Sequence, residues 1–519
     1  MKNILFASLL FCSSAAIAQT PMMVYDGNPD KIVSILENIV PYKGKIYYAG
    51  VAPATSGPTL WSYDGISAGP TIYPYKINVT PWVSSELTIY NGKLYFGGGQ
   101  GTTGKEPTSF DGTNFSLIYD IMPGIGLSSS PSWFTPLQSA NLLFFAADSG
   151  SVSEQHRELY RYDAITPPKR ITINDGSNPA GSVPQYLQSL GNFLYFTAIP
   201  STPPESKLFR VDVAGVVTIA KGATALTYPG EKLLVGNKIY FGATEPGTGS
   251  ELYSYDGDTA IRLTDIAPGP LDGIPQENAV KGAFYLRNIP ALYKGLIYFC
   301  GSADGTNNQL YAYNPSDGKT KLVQTINPAG DAKVGNLYVY RNALYFTAYT
   351  PATGTELWRY NDTTCSLYAD IWPGPRTGMA FHYGTSTPEL PSYAAFTEFQ
   401  GDLYFKAQDS LHGYELWRIK GPVTPNGVEN IALSGTVSMH PNPTSADVTM
   451  DLTLQESRTL ALFLYDMAGR EVYASPAKAY SAGKYQMVLP MQTLSAGQYI
   501  YRLSGAGGAA LATGVLIRK

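Results

Sequence analysis

Five glutamates, Glu106, Glu158, Glu251, Glu356 and Glu415, recur at one position of a repeat, four of them just ahead of a short aromatic segment such as Glu251-Leu252-Tyr253 or Glu356-Leu357-Trp358. Carboxylates converging from several copies would suit a hard cation such as calcium, or paired acid and base chemistry, because both need oxygens gathered in one place. The repetition itself favours a structural role, in which each Glu accepts hydrogen bonds from its own Gly-rich loop. No Asp-x-Asp-x-Asp-Gly calcium loop accompanies the set. His156, His382, His412 and His440 lack the pair spacings of a zinc site, and Gly97-Gly98-Gly99 with Gly101 is followed by neither a helix nor the Lys-Ser/Thr of a phosphate cradle. There is no Gly-x-Ser-x-Gly elbow and no cysteine paired with a nearby histidine. These residues give no positive sign of catalysis, and no metal or cofactor is expected.

A second set has the chemistry of recognition. Trp82, Trp133, Tyr285, Trp372 and the His382-Tyr383 pair fall in segments joining one repeat to the next. Large aromatic surfaces stack on apolar sugar faces or fill partner pockets at small rotamer cost. Their alternative is to pack beneath long loops as satellite core, and exposure decides between the two.

The elements that must position these residues are strands. Eight times between residues 44 and 405 a polar turn leads into an alternating aromatic strand, as in Lys45-Ile46-Tyr47-Tyr48, Lys93-Leu94-Tyr95-Phe96 and Asp402-Leu403-Tyr404-Phe405. The second copy shows the unit most clearly: Ser85 to Tyr90, Lys93 to Gly97, a strand ending at Phe110, and Phe115 to Ile121, with Asn91-Gly92 and Asp111-Gly112 as hairpin turns. A four-stranded meander recurring at this period predicts an all-β chain and an eight-bladed β-propeller, or seven blades if the unit around Phe193 is irregular. Trp61, Trp358 and Trp417 then serve as packing between units. The last copy ends at Tyr414 to Lys420 without a fourth strand, whereas Val24 to Gly27 and Lys31 to Ile35 precede the first copy. An N-terminal strand completing the last unit would leave no unpaired edge at the seam.

The chain has 519 residues, with 39 Tyr, 52 Gly and 38 Pro against 15% charged residues, a composition of strands and tight turns. Its net charge of -4 offers no basic footprint, so nucleic acid is not an expected partner. Residues 1–18 read as a secretory signal peptide cleaved between Ala18 and Gln19; the apolar run is too short to span a bilayer, and no other segment would span. Phe11 before Cys12 argues against a lipoprotein signal. Cys300 and Cys365 lie in different units, and whether they stay reduced is left open. The repeat domain is expected over 19–421, a Pro/Gly linker over 422–427, and a small immunoglobulin-like β-sandwich over 428–519, where segments such as Val448 to Leu452 and Tyr499 to Leu503 alternate.

The repeats resemble those of secreted bacterial proteins built from Glu-Leu-Trp-x-x-Asp-Gly-Thr units, over most of residues 21 to 421. Glu-Leu-Trp stands at 356–358 and 415–417 and Glu-Leu-Tyr at 158–160 and 251–253, while Glu106-Pro107-Thr108 and Lys207-Leu208-Phe209 depart from it. The tail is similar to the type A C-terminal sorting domain of the type IX secretion system of the Bacteroidota. Pro441-Asn442-Pro443-Thr444, the stretch Leu464 to Arg470 with Gly469, Gly497-Gln498-Tyr499 and the basic end Arg518-Lys519 carry that likeness. It implies passage through the type IX machinery and a surface-anchored or released product. The function expected is an exported binding or adhesion protein whose propeller rim recognises a glycan or a surface protein. The alternative is an extracellular polysaccharide hydrolase or lyase acting at the propeller pore.

Overall fold

The computed structural model describes residues 20–27, 35–51, 57–77, 87–99, 104–150, 156–173, 181–200, 205–275, 289–381, 390–391, 396–421, 435–454, 457–466, 471–475, 478–504 and 510–519. Ala18, Gln19, Trp82, Tyr285, His382, Tyr383, Gly469 and the 422–427 linker lie outside these residues. The chain divides into two compact units between Lys420 and Gly421. Among the described residues there is no α-helix, only a single 3-10 turn at Gln138–Ala140.

Each aromatic strand of the repeat becomes the second strand of a four-stranded antiparallel meander. Six such sheets are separate, and the first two copies join into one eight-stranded sheet. In that pair the end of Thr71–Ile77 crosses to Lys93–Gly99, matching Lys76 with Gly99, while Thr88–Tyr90 holds the other half of the same strand. The unit around Phe193 is regular, with strands Gln185–Leu190, Phe193–Ala198, Lys207–Val211 and Val217–Ile219 in order.

Strand alternation explains how the sheets stack. Successive side chains point to opposite faces, so in Ala343–Thr350 the residues Leu344, Phe346 and Ala348 pack toward the preceding sheet while Tyr345 packs toward the following one. Every sheet is linked to the next by such a cluster, and one more joins Phe399, Tyr404 and Leu416 of the last sheet to Ile46, Tyr48 and Trp61 of the first. Each fully buried Leu or Phe contributes about 1.5–3 kcal/mol. The result is a closed, propeller-like succession of meanders.

The seam is closed by Met22–Tyr25, which pairs with Glu415–Ile419 through Met22 with Arg418 and Met23 with Trp417. The closing strand lies upstream of the Lys31 to Ile35 stretch considered from sequence. Ile35 instead opens the first strand of the next sheet, Ile35–Tyr42, against Lys45–Gly50.

The second unit is a β-sandwich. Gly435–His440, Val448–Leu454 and Gly483–Leu489 form one sheet; Glu471–Ala474, Arg458–Asp466, Gly497–Ser504 and Ala510–Arg518 form the other, with Lys478–Tyr480 also paired to Arg458–Asp466. Met450, Leu452 and Leu489 from one sheet meet Leu462, Leu464, Leu503 and Leu516 from the other in a shared core.

Candidate functional site

The repeated glutamates are buried, and each reaches the loop that leaves the fourth strand of its sheet. Glu106 Oε1 accepts from the Ser129 N–H at 2.8 Å, and its Oε2 accepts from Ile121 N–H at 3.0 Å and Ser129 Oγ at 2.5 Å. Glu251 accepts from Ile266 N–H, Ala267 N–H and Thr264 Oγ1 at 3.0, 3.2 and 2.5 Å. Glu356 accepts from the N–H groups of Ile371, Trp372 and Gly378 at 2.9, 3.3 and 2.6 Å. Glu158 accepts from Ile173 N–H and Ser182 Oγ. At the seam Glu415 accepts from Gly27 N–H at 3.1 Å, so here the loop leaving the sheet's fourth strand is supplied by the N-terminal segment.

In the sixth meander Gln309 does the same task with an amide. Its Oε1 accepts from Ile326 and Asn327 N–H, and its Nε2 donates to the carbonyls of Asn327 and Gly330. The position departs in two other sheets: Thr59 accepts from the Trp61 indole at 3.0 Å, and Lys207 pairs with Glu205 at 3.5 Å.

Burial raises the acids of Glu106, Glu158 and Glu251 above the ordinary value, against the pull of these donors, and pushes Glu356 up to about 8. The oxygens serve their own units' loops rather than a common centre. Among the described residues no group of three or more His, Cys, Asp or Glu side chains is placed to hold a metal ion.

The aromatic candidates separate. Trp133 is 9% exposed and packs edge-on against Tyr186, ring centroids 5.2 Å apart, within a core that includes Leu187, Phe196 and Phe209. This corrects the expectation of a presented rim side chain. Trp133 sits in a bulge with φ 58°, between the pairs Ser132 with Ala146 and Thr135 with Phe144, and the bulge accompanies its packing against the next sheet. Tyr186 repeats the device with φ 54°. Trp372 is half-buried on a loop whose backbone Glu356 holds. Trp82, Tyr285, His382 and Tyr383 lie outside the described residues, so the candidates are not brought together as a set.

A further repeat escaped the sequence reading. Asp120-Ile121-Met122-Pro123-Gly124, Asp265-Ile266-Ala267-Pro268-Gly269 and Asp370-Ile371-Trp372-Pro373-Gly374 are the segments the glutamates grip, and Asp26-Gly27 occupies the equivalent place at the seam. Meander topology puts these loops and the loops between second and third strands at one end of the sheets. Aliphatic side chains stand out there: Ile125 is 87% exposed, Leu271 47% and Leu411 63%.

In the second unit the two ends of the sorting-type sequence do meet. Asn442 Nδ2 donates to Val515 O at 2.7 Å and Ile517 N–H donates to Asn442 Oδ1 at 2.9 Å. Thr444 N–H donates to Ile517 O and Lys519 N–H to Thr444 O, both at 2.8 Å. Arg518 Nε donates to Met491 O at 3.1 Å, Gly497 pairs with Arg518, and buried Tyr499 donates its hydroxyl to Ser495 O. Pro441 and Pro443, each with a cis peptide bond before it, flank Asn442 in this clasp.

Residues 438–516 match the family described as Secretion system C-terminal sorting domain. The tail marks the protein for export through the type IX system to the cell surface or beyond, and no helix among the described residues is long and apolar enough to cross a membrane. No curated protein matches the chain. Among solved structures, PorZ, an essential bacterial surface component of the type-IX secretion system of Porphyromonas gingivalis, is similar at 12% identity and TM-score 0.36, over 95% of this chain and 69% of its own. A puromycin-hydrolyzing peptidase of Mycobacterium tuberculosis is similar at 11% identity and TM-score 0.43, over 84% of this chain and 61% of its own. The β-propeller domain of the Trilobed protease from Pyrococcus furiosus is similar at 10% identity and TM-score 0.37, over 75% and 96%.

Proposed function

We propose that the first unit is an eight-bladed β-propeller of the Glu-Leu-Trp-x-x-Asp-Gly-Thr type, that the second is an immunoglobulin-like sandwich, and that the exported protein is a binding protein. Core clusters linking each meander to its neighbour, with one across the seam, support the eight-bladed reading. The observation that carries the binding role is the pinned rim. Buried acids fix the base of successive loops while those loops and their neighbours present Ile125, Leu271, Leu411 and half-buried Trp372. Rigid blades holding apolar loop tips suit recognition of a glycan or a surface protein.

The test is depletion from solution. The purified chain is mixed with insoluble bacterial envelope polysaccharides, and separately with outer-membrane fragments, and the fraction removed is measured. Depletion reduced about tenfold by Trp372→Ala or by Ile125→Ser with Leu271→Ser fits the rim. Depletion unchanged by these variants, or absent from both materials, overturns it.

A further inference from the structure

The second unit has two outward sheet faces that differ in chemistry. One carries Ser438, His440, Thr449, Asp451, Thr453 and Gln486, with Val488 as an apolar exception. Three of its polar groups engage one another: His440 Nε2 lies 2.5 Å from Asp451 Oδ2, and Gln486 Nε2 donates to Asp451 Oδ1 at 2.8 Å.

The other face carries an apolar row, flanked by Arg502, which pairs with Phe463 and Thr513, and by Gln498, which pairs with Ile517. Tyr465 pairs with Ile500 and Ile500 with Val515, a row three strands wide. Phe463 stacks beside Tyr465 with ring centroids 6.4 Å apart, and Ile517 is the next outward residue of the final strand. Val515 is 49% exposed and Ile517 37%, whereas the alternate residues Leu464, Leu503 and Leu516 point into the core. Water-facing apolar rows of this kind mark contact surfaces.

We propose that the row formed by Tyr465, Ile500, Val515 and Ile517 is the surface by which the C-terminal unit docks on an apolar surface of the type IX export machinery. The inference rests on the export reading and adds the face. The choice of occupant follows from the match over 438–516: a sorting domain must be bound by the apparatus that sorts it. Of the two outward faces, the polar one has His440, Asp451 and Gln486 engaged with each other. The apolar one lies on the strands that include the final hairpin, and the Asn442 and Thr444 clasp holds that hairpin's outer edge.

The full chain is produced in a type IX-competent bacterium, and the exported fraction is measured for Ile500→Lys, Val515→Lys and, on the polar face, Thr453→Lys. Ile500→Lys and Val515→Lys should each lower export about tenfold and Thr453→Lys should leave it unchanged. Cooperative melting of the purified chain shows that a variant has folded, and where lysine prevents folding the β-branched Val515→Thr decides. A chain lacking residues 421–519 tests the export reading separately: its normal export sinks that reading. Its retention, together with normal export of Ile500→Lys and Val515→Lys, overturns the docking face alone. Slow maleimide labelling of a folded Val515→Cys chain in solution would show the row covered by the chain itself or a second copy, and would also overturn the proposal.

Discussion

Gly378 stands where the Glu356 carboxylate enters its loop. The Gly378 N–H donates to Glu356 Oε1 at 2.6 Å, and a Cβ at Gly378 would lie 2.7 Å from both carboxylate oxygens. Gly273 approaches Glu251 as closely, a Cβ there falling 2.1 Å from Oε1. In other units the position is filled by Ser129 or Ser182, whose hydroxyls donate to the acid, with the Ser129 N–H donating as well.

Gly378→Ala and Gly273→Ala are therefore expected to displace a buried carboxylate from its donors, at a cost of about 1–3 kcal/mol each. Urea unfolding of the purified chain checks this, and an unchanged midpoint for both would refute it.

Glu356 supplies a pH dependence. Its acid rises from 4.5 to about 8 through burial, so the folded chain holds a proton that the unfolded chain has released between those values. The corresponding stability is fully present below about pH 4.5 and is lost as pH rises through about 8. Glu106, Glu158 and Glu251 shift in the same direction. The urea midpoint should be higher at about pH 5.5 than at about pH 8.5, by a smaller margin in Glu356→Gln. A profile of opposite slope would mean that the N–H donors outweigh burial.

Gln309 cannot be exchanged for the residue its neighbours use. Gln309→Glu would turn a carboxylate oxygen toward the Asn327 and Gly330 carbonyls that now accept from Nε2. A loss of about 1–3 kcal/mol is expected by urea unfolding, although the other sheets carry Glu at this place.

Trp133→Ala should act as a core deletion, costing about 3–5 kcal/mol, with envelope capture per folded molecule unchanged. Melting and depletion measured on the same preparation distinguish this from a binding role.

The strands and the seam were legible in the sequence because alternation is a local signal. Leu344-Tyr345-Phe346 shows its two faces by period alone. The clasps were only half legible, since Glu356 meets Gly378 across 22 residues and Glu106 meets Ser129 across 23. Their partners sit in loops whose Asp-Ile-x-Pro-Gly pattern is shared by only some units. Trp133 was misread because a bulge, set by pairing with the neighbouring strand, decides where its side chain packs. The clasp of Asn442 on the final strand joins residues 73 and 75 positions apart, a contact that motif order alone does not reveal.

The bond from Gly27 to Glu415 joins positions 388 residues apart, and this sets a condition on how the exported chain matures. Bringing such distant ends together costs roughly 5 kcal/mol of loop-closure entropy, and neither partner can engage until the whole stretch between them has been synthesised. Until both ends are present the last meander is incomplete, with the edge of Glu415–Ile419 open to wrong pairing. The final sheet therefore acts as a completion check on everything made before it.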